Sequence, residues 1–191
     1  MLLELLPALI LAIALAASAG LRAWLPLLLA GVMARAGILD LGPSFEFLAS
    51  TKALVLFGVA TAIEVIGDKI PAVDHVLDVA GTFLRPAAGA LLAASALGVV
   101  VDPLTAGILG VVIGAPTALV PHAAKAAVRA GSTATTGGIA NPILSILEDV
   151  VSVATFLLAV VVPLLVVGLL VLTLVLAVRW LRGVRAGSRH A

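Results

Sequence analysis

The charges of this chain decide its fold, because of what lies between them. Six uncharged, mainly apolar stretches stand out: residues 5–21, 23–34, 53–63, 86–101, 103–121 and 150–178, of 17, 12, 11, 16, 19 and 29 residues. A helix needs about 20 residues to cross roughly 30 Å of hydrocarbon. The other four come close to that length or exceed it, whereas 23–34 and 53–63 span only if Arg22, Glu64 and Asp68 enter the membrane with them. A composition of 63% apolar and 11% charged residues leaves too little polar surface for a soluble domain of 191 residues.

The expected fold is therefore all-α and integral to the membrane, a single transmembrane domain over 1–182 followed by a basic cytoplasmic tail over 183–191. The opening "MLLELLPALILAIALAASAG" has the small residues of a signal cleavage site but Glu4 where a signal carries a base, and it is read as a retained first span. The sixth run contains Pro163 but no turn signal, so it counts once. About six crossings place both termini on one side. Arg179, Arg182, Arg185 and Arg189 make that side cytoplasmic, in a plasma (inner) membrane.

That topology sends three links to the opposite face: "GLRAWLP", "EVIGDKIPAVDHVLDVAGTFLRP" and "HAAKAAVRAGSTATTGGIANP". Each ends in a proline, Pro26, Pro86 or Pro142, suited to a first helical position where its missing N–H costs nothing. Lys69 and Lys125 each precede their proline by 17 residues. The spacing predicts an internal repeat of three parallel helical hairpins, with broken or re-entrant segments in the non-cytoplasmic links.

Helical spacing also collects the polar groups. Asp74, Asp78, Thr82 and Arg85 form one stripe, predicted to be an interfacial or re-entrant amphipathic helix; His122, Lys125 and Arg129 form another; Ser145, Asp149 and Ser152 a third. "STATTGG" reads as unwound backbone and "NPILSILED" as a helix start whose N–H groups could face an anion or a hydroxyl. An ordinary aqueous loop is the plain alternative for this segment.

Five motifs in order, "GLRAWLP", "FEFLAS", "EVIGDKIPAVDHVLD", "TFLRP" and "STATTGGIANPILSILED", resemble a family of small bacterial and plastid membrane proteins catalogued as domain of unknown function 4126, over roughly residues 15 to 165. The resemblance implies a multi-pass membrane protein and carries over no activity. It also implies that Arg22, Glu64, Asp68, Lys69, Asp74, Arg85, Lys125, Asn141, Glu148 and Asp149 belong to the family's pattern, with the Arg-rich tail outside it.

Ionisable groups inside a membrane are costly and are functional candidates for that reason. The candidate ion- or substrate-binding set is Arg22, Glu64, Asp68, Lys69, Asp74, Arg85, Lys125, Thr135, Thr136, Asn141, Glu148 and Asp149; helix-to-helix glue is the plain alternative. His75 has no second histidine at metal spacing, Asp102-Pro103 reads as a turn, and Trp24 and Trp180 as interfacial anchors.

No metal or cofactor is expected. The absence of cysteine excludes disulfides and thiolate ligands, and a net charge of +1 offers no field for nucleic acid. No hydrolase, metalloprotease or nucleotide-loop motif is present. The leading expectation is transport or conduction of a small ion or polar solute, proton-coupled through a carboxylate that is switched by losing its lysine partner. A membrane scaffold or lipid-headgroup-binding protein is the alternative, with an intramembrane enzyme behind it. The expected partners are the lipid bilayer and the solute, with a homo-oligomer allowed.

Overall fold

The computed structural model describes residues 2–161. The end of the sixth run with Pro163, Trp180 and the arginine tail lie outside the described residues, as does the side chain of His75. Two compact units divide at Ala159, and everything below concerns the first, Met1–Ala159, apart from the last turn of its final helix.

The described residues form seven α-helices: α1 (Leu2–Leu21), α2 (Trp24–Arg35), α3 (Thr51–Gly67), α4 (Pro71–Leu97), α5 (Pro103–Leu109), α6 (Ala115–Thr136) and α7 (Asn141–Val161). A 3-10 helix, Pro43–Ala49, precedes α3 at an angle of 58°, and a π-helical segment, Gly110–Gly114, joins α5 to α6.

Four of these segments are long and apolar enough to cross a membrane: Glu4–Leu21, Val76–Leu97, Pro103–Thr136 and Asn141–Val161, with the bent pair before and in α3 as a fifth. The side-chain distribution fits that setting, being the reverse of a water-soluble protein's. Leu6, Ile10, Leu56, Ile66, Leu104, Val111, Val112, Ile143 and Val150 face outward, while Arg22, Arg85, Lys125, Arg129, Glu64 and Asp68 are buried. In lipid the outward apolar face is satisfied and each charge must find its partner inside the protein.

Small residues bring the central helices together. A Cβ on Gly89 of α4 would lie 2.6 Å from Ala118 Cβ and 2.8 Å from the Gly114 carbonyl oxygen, and one on Gly110 would lie 2.5 Å from the Ala90 carbonyl oxygen. Gly110, Gly114 and Ala118, at intervals of four, give the close backbone approach that replaces hydrophobic driving force in a membrane. The π segment sits at that contact. Pro116 follows it and has no N–H to return to the carbonyl of Val112, which favours a widened turn there.

The loop after α2 and the end of α4 meet: the Gly42 N–H donates to the Ser95 carbonyl oxygen at 2.9 Å, and a Cβ on Gly42 would touch Gly98. Asp102, the expected turn residue, is the N-cap of α5, accepting from the N–H groups of Leu104 and Thr105 at 3.1 Å with Pro103 at the first helical position. Hydrogen bonds from Thr105 and Leu104 hold its carboxyl below the usual range.

Two expectations about the links are corrected. Pro86 lies inside α4, and the proline that opens this helix is Pro71, after an extended Ile70. The stripe of Asp74, Asp78, Thr82 and Arg85 thus runs straight into a span, because its pairing with α3 and α6 holds the helix through the hydrogen bond that Pro86 omits. One of the three marks of the hairpin repeat is thereby lost. The stretch "STATT" is likewise helical, the last turn of α6, and the break is confined to residues 137–140, where Gly137 and Gly138 take positive φ values of 63° and 86°.

Candidate functional site

The site begins at the break between α1 and α2, where two residues leave the helical path and α2 starts without a side-chain cap of its own. Pro26 has no N–H, so few donors remain to satisfy there. Glu64, from the last turn of α3, takes two of them: Ala23 N–H at 3.1 Å and Trp24 N–H at 3.3 Å. A buried carboxylate from another helix thus caps α2 and holds Arg22 pointing inward. Trp24 is half-buried and stacks on Phe57 at 6.2 Å.

Arg22 is fully buried and spends its guanidinium on three groups. Nη1 donates to Asp68, Nε lies 2.7 Å from Asp149 Oδ1, and Nη2 donates to the Ser145 hydroxyl and carbonyl oxygens at 2.9 and 3.2 Å. The α1–α2 break is thereby tied to the corner after α3 and to α7. The third predicted stripe accounts for the α7 side: Asp149 and Ser145 meet Arg22, and Ser152 donates to the Ser18 carbonyl oxygen at 3.2 Å.

Asp68 is the hub. Its Oδ2 meets Arg22, Lys125 Nζ at 3.6 Å and Arg129 Nη2 at 3.3 Å. Lys125 also reaches Asp78 at 3.3 Å and Glu148 at 3.1 Å, and Arg129 grips Glu148 with two parallel bonds of 2.9 and 2.8 Å while touching Asp74 and Asp78. The forked geometry of guanidinium on carboxylate makes this the best-formed pair of the network. Burial raises the Asp74 carboxyl, in the first turn of α4 ahead of the span, above its usual value; the charge of Arg129 pulls the other way.

Arg85 extends the network along α4. It is fully buried over Gly81, where a Cβ would lie 2.9 Å from Arg85 Cζ, and it reaches Asp78 at 3.3 Å and Glu64 at 4.0 Å. Its Nη1 also contacts His122 Nδ1. Arginine has only donors, so Nδ1 accepts, and the imidazole proton sits on Nε2, 3.4 Å from the Thr82 hydroxyl.

Eight of the twelve predicted site residues therefore meet in one network: Arg22, Glu64, Asp68, Asp74, Arg85, Lys125, Glu148 and Asp149. The structure adds Asp78, Arg129, His122 and Ser145. All four lie on predicted polar stripes, so spacing along the helix was the signal that could have found them. The other four stand apart. Lys69 donates to the Val65 carbonyl oxygen at 2.8 Å from an exposed position, and Thr135 and Thr136 bond back to Gly131 and Ser132 carbonyls within α6. Asn141 donates to the Thr133 hydroxyl at 3.2 Å.

A cleft of about 790 Å³ opens on the network, lined by Asp68, Asp74, Asp78 and Arg129 and bounded by Lys69, the Gly137-Gly138 break and Asn141. A second, mostly apolar groove of about 410 Å³ lies between α1, α6 and α7, with Lys125 and Glu148 in its wall. Glu148 thus lines the groove while its carboxylate holds Arg129, which lines the cleft. Among the described residues no group of three or more His, Cys, Asp or Glu could hold a metal ion.

Family comparison matches residues 9–183 to the family described as Domain of unknown function (DUF4126). No curated protein and no solved structure matches the chain.

Proposed function

The chain belongs to that family, a domain of unknown function in a membrane protein, and we propose from the site alone that it is a transporter or channel for a small ion or polar solute, coupled to proton movement. One observation carries the reading. Six carboxylates and four basic side chains converge inside an apolar helical unit, and four of those ten groups line an open cleft of about 790 Å³. Pure helix-to-helix glue needs no cleft, and burying so many charges is a cost that a scaffold has no reason to bear.

Proton coupling follows from the excess of carboxylates. Two of the six have no cation to themselves, and a shared carboxylate exchanges a proton when its partner moves. The Glu148–Arg129 and Glu148–Lys125 pairs stand between the cleft and the apolar groove, so rearranging them would alter access and charge together. The direct test is reconstitution: purified protein in proteoliposomes should support solute-driven proton movement, or proton-driven solute uptake, above protein-free vesicles. No flux for any small ion or polar solute would end the transport reading and favour the scaffold.

The topology we propose has about six crossings with both termini cytoplasmic, in the plasma (inner) membrane, and the charged end on the opposite face. It gains support from the meeting of Gly42 with Gly98 at one end and of Arg22, Asp68 and Asp149 at the other. Single cysteines read it directly in a chain that has none. Exposed Ser44 and Asp102 are suitable sites, whereas Gly42 has no room for a side chain. Cysteines at both should resist an impermeant reagent added outside intact cells and react once the membrane is opened; labelling from outside would invert the topology.

A further inference from the structure

The cleft has an electrostatic sign, and its unfilled atoms say which ligand chemistry completes it. Asp68 lines the cleft and is 2% exposed. Its three cationic contacts all fall on Oδ2, while Oδ1 is buried with no hydrogen-bond partner. A carboxylate oxygen accepts from two directions, and one left bare in a buried setting is costly. Asn141, which also lines the cleft, repeats the pattern: Nδ2 is bonded to Thr133, and the buried Oδ1 has no partner. Both unfilled atoms are acceptors, so what fills them must donate.

Most of the donors that would hold an anion are already spent. At the start of α7, Ala140 N–H donates to the Thr136 hydroxyl at 3.3 Å, Asn141 N–H to the Gly138 carbonyl oxygen at 3.1 Å and Ile143 N–H to the Ala140 carbonyl oxygen at 3.1 Å. Lys69 gives one of its three N–H donors to its own helix, and Arg129 is shared among four carboxylates. Arg85 Nε is an unfilled donor, but Arg85 does not line the cleft. Of the charged groups that line the cleft three are carboxylates, Asp68, Asp74 and Asp78, and two are cations, Lys69 and Arg129, so the field in the cleft attracts positive charge.

Size narrows the class. A water occupies about 30 Å³, so about 790 Å³ is far more than a bare ion needs and lies in the range of pockets for small organic ligands. Ala126, Ala130 and Pro142 give the same cleft an apolar wall suited to an alkyl chain. We propose that the cleft binds a small organic cation by its ammonium group, with Asp68 Oδ1 and Asn141 Oδ1 accepting the N–H donors and Asp74 and Asp78 supplying negative field. This rests on the cleft being the solute site of the transport reading and assigns that site its substrate class. The ammonium could be that of a free amine or of a phosphatidylethanolamine headgroup.

Calorimetric titration of the purified full-length protein in detergent tests the inference, with propylamine and 1,4-diaminobutane as amine probes against inorganic phosphate and acetate. The amines should bind and the anions should not. Asp68→Asn should weaken amine binding by roughly tenfold or more, as expected for loss of a charge-assisted bond. Asn141→Ala leaves every ion pair in place and should weaken it several-fold, which serves if Asp68→Asn does not fold. Repeating the titration in nanodiscs separates the sources: competition by phosphatidylethanolamine identifies the headgroup, and indifference to it a free amine.

Phosphate or acetate binding that excludes amines would overturn the proposal, as would a folded protein that binds neither amine or binds them unchanged in both variants. The two readings fail separately. Amine binding without flux in vesicles would sink transport and leave the cation site standing, whereas anion flux without amine binding would do the reverse.

Discussion

Arg129→Met should be the most destabilising single substitution in the charged network. Its guanidinium touches Asp68, Asp74, Asp78 and Glu148, more carboxylates than any other cation of the network, and the residue is 5% exposed. Removing one partner from a buried ion pair leaves the other's charge unpaired and costs about 3–5 kcal/mol. Here Asp68, Asp78 and Glu148 would be left to Arg22, Arg85 and Lys125, and Asp74 would lose its ion-pair partner. The expected result is a large fall in the midpoint of thermal or detergent-induced unfolding, with much of the protein aggregated.

Arg129→Lys should recover only part of the loss, because an ammonium cannot reproduce the two parallel bonds to Glu148. Adding Asp74→Asn to Arg129→Met should restore stability relative to the single variant, since Arg129 is the one cation that Asp74 meets among the described residues. A double-mutant cycle isolates that coupling. If Arg129→Met unfolds at the wild-type midpoint, the network is not what holds α3, α4, α6 and α7 together at this end.

What the sequence disclosed and what it withheld divide along a physical line. Hydrocarbon thickness against the spacing of charges was enough to show a membrane protein of apolar helices, because that constraint acts on each segment alone. The convergence of Arg22, Asp68, Lys125 and Glu148 was legible for a related reason: charges at the ends of apolar helices have nowhere to go but to each other. The paired spacing of the prolines was a poorer guide. A proline is tolerated inside a helix when tertiary contacts hold both sides, and nothing local to "TFLRP" reveals that Asp78 and Arg85 are fastened to α6 and α3.

The Thr-Gly run misled in the opposite direction. Composition marks Thr135 and Thr136 as loop-forming, yet each hydroxyl bonds a carbonyl one turn back and the helix continues until Gly137 ends it. Arg129 and Asp78 do not stand out individually within their polar stripes. Which member of a polar stripe meets the most partners depends on the rotation of α6 against α4, which the Gly89, Gly110 and Gly114 contacts constrain from far along the chain. That information is distributed, and no single motif carries it.

Neutralising Glu148 or Lys125 should abolish flux and leave a folded, membrane-inserted protein. The two groups lie 3.1 Å apart, and both face the apolar groove while their charges reach the cleft network. Glu148→Gln retains acceptor capacity for Arg129 and removes the group that exchanges a proton. Lys125→Met keeps the length of the side chain and withdraws one cation from Asp68, Asp78 and Glu148, each of which still has an arginine within 3.5 Å. Neither change leaves a buried charge wholly unpaired, so both should fold, in contrast to Arg129→Met. Transport that depends on passing a proton between Glu148 and its cations would fall to the level of protein-free vesicles in both variants. Wild-type flux in both would remove this pair from the mechanism and move the transport path to residues that line the cleft alone, Asp68, Asp74 and Asp78 first among them.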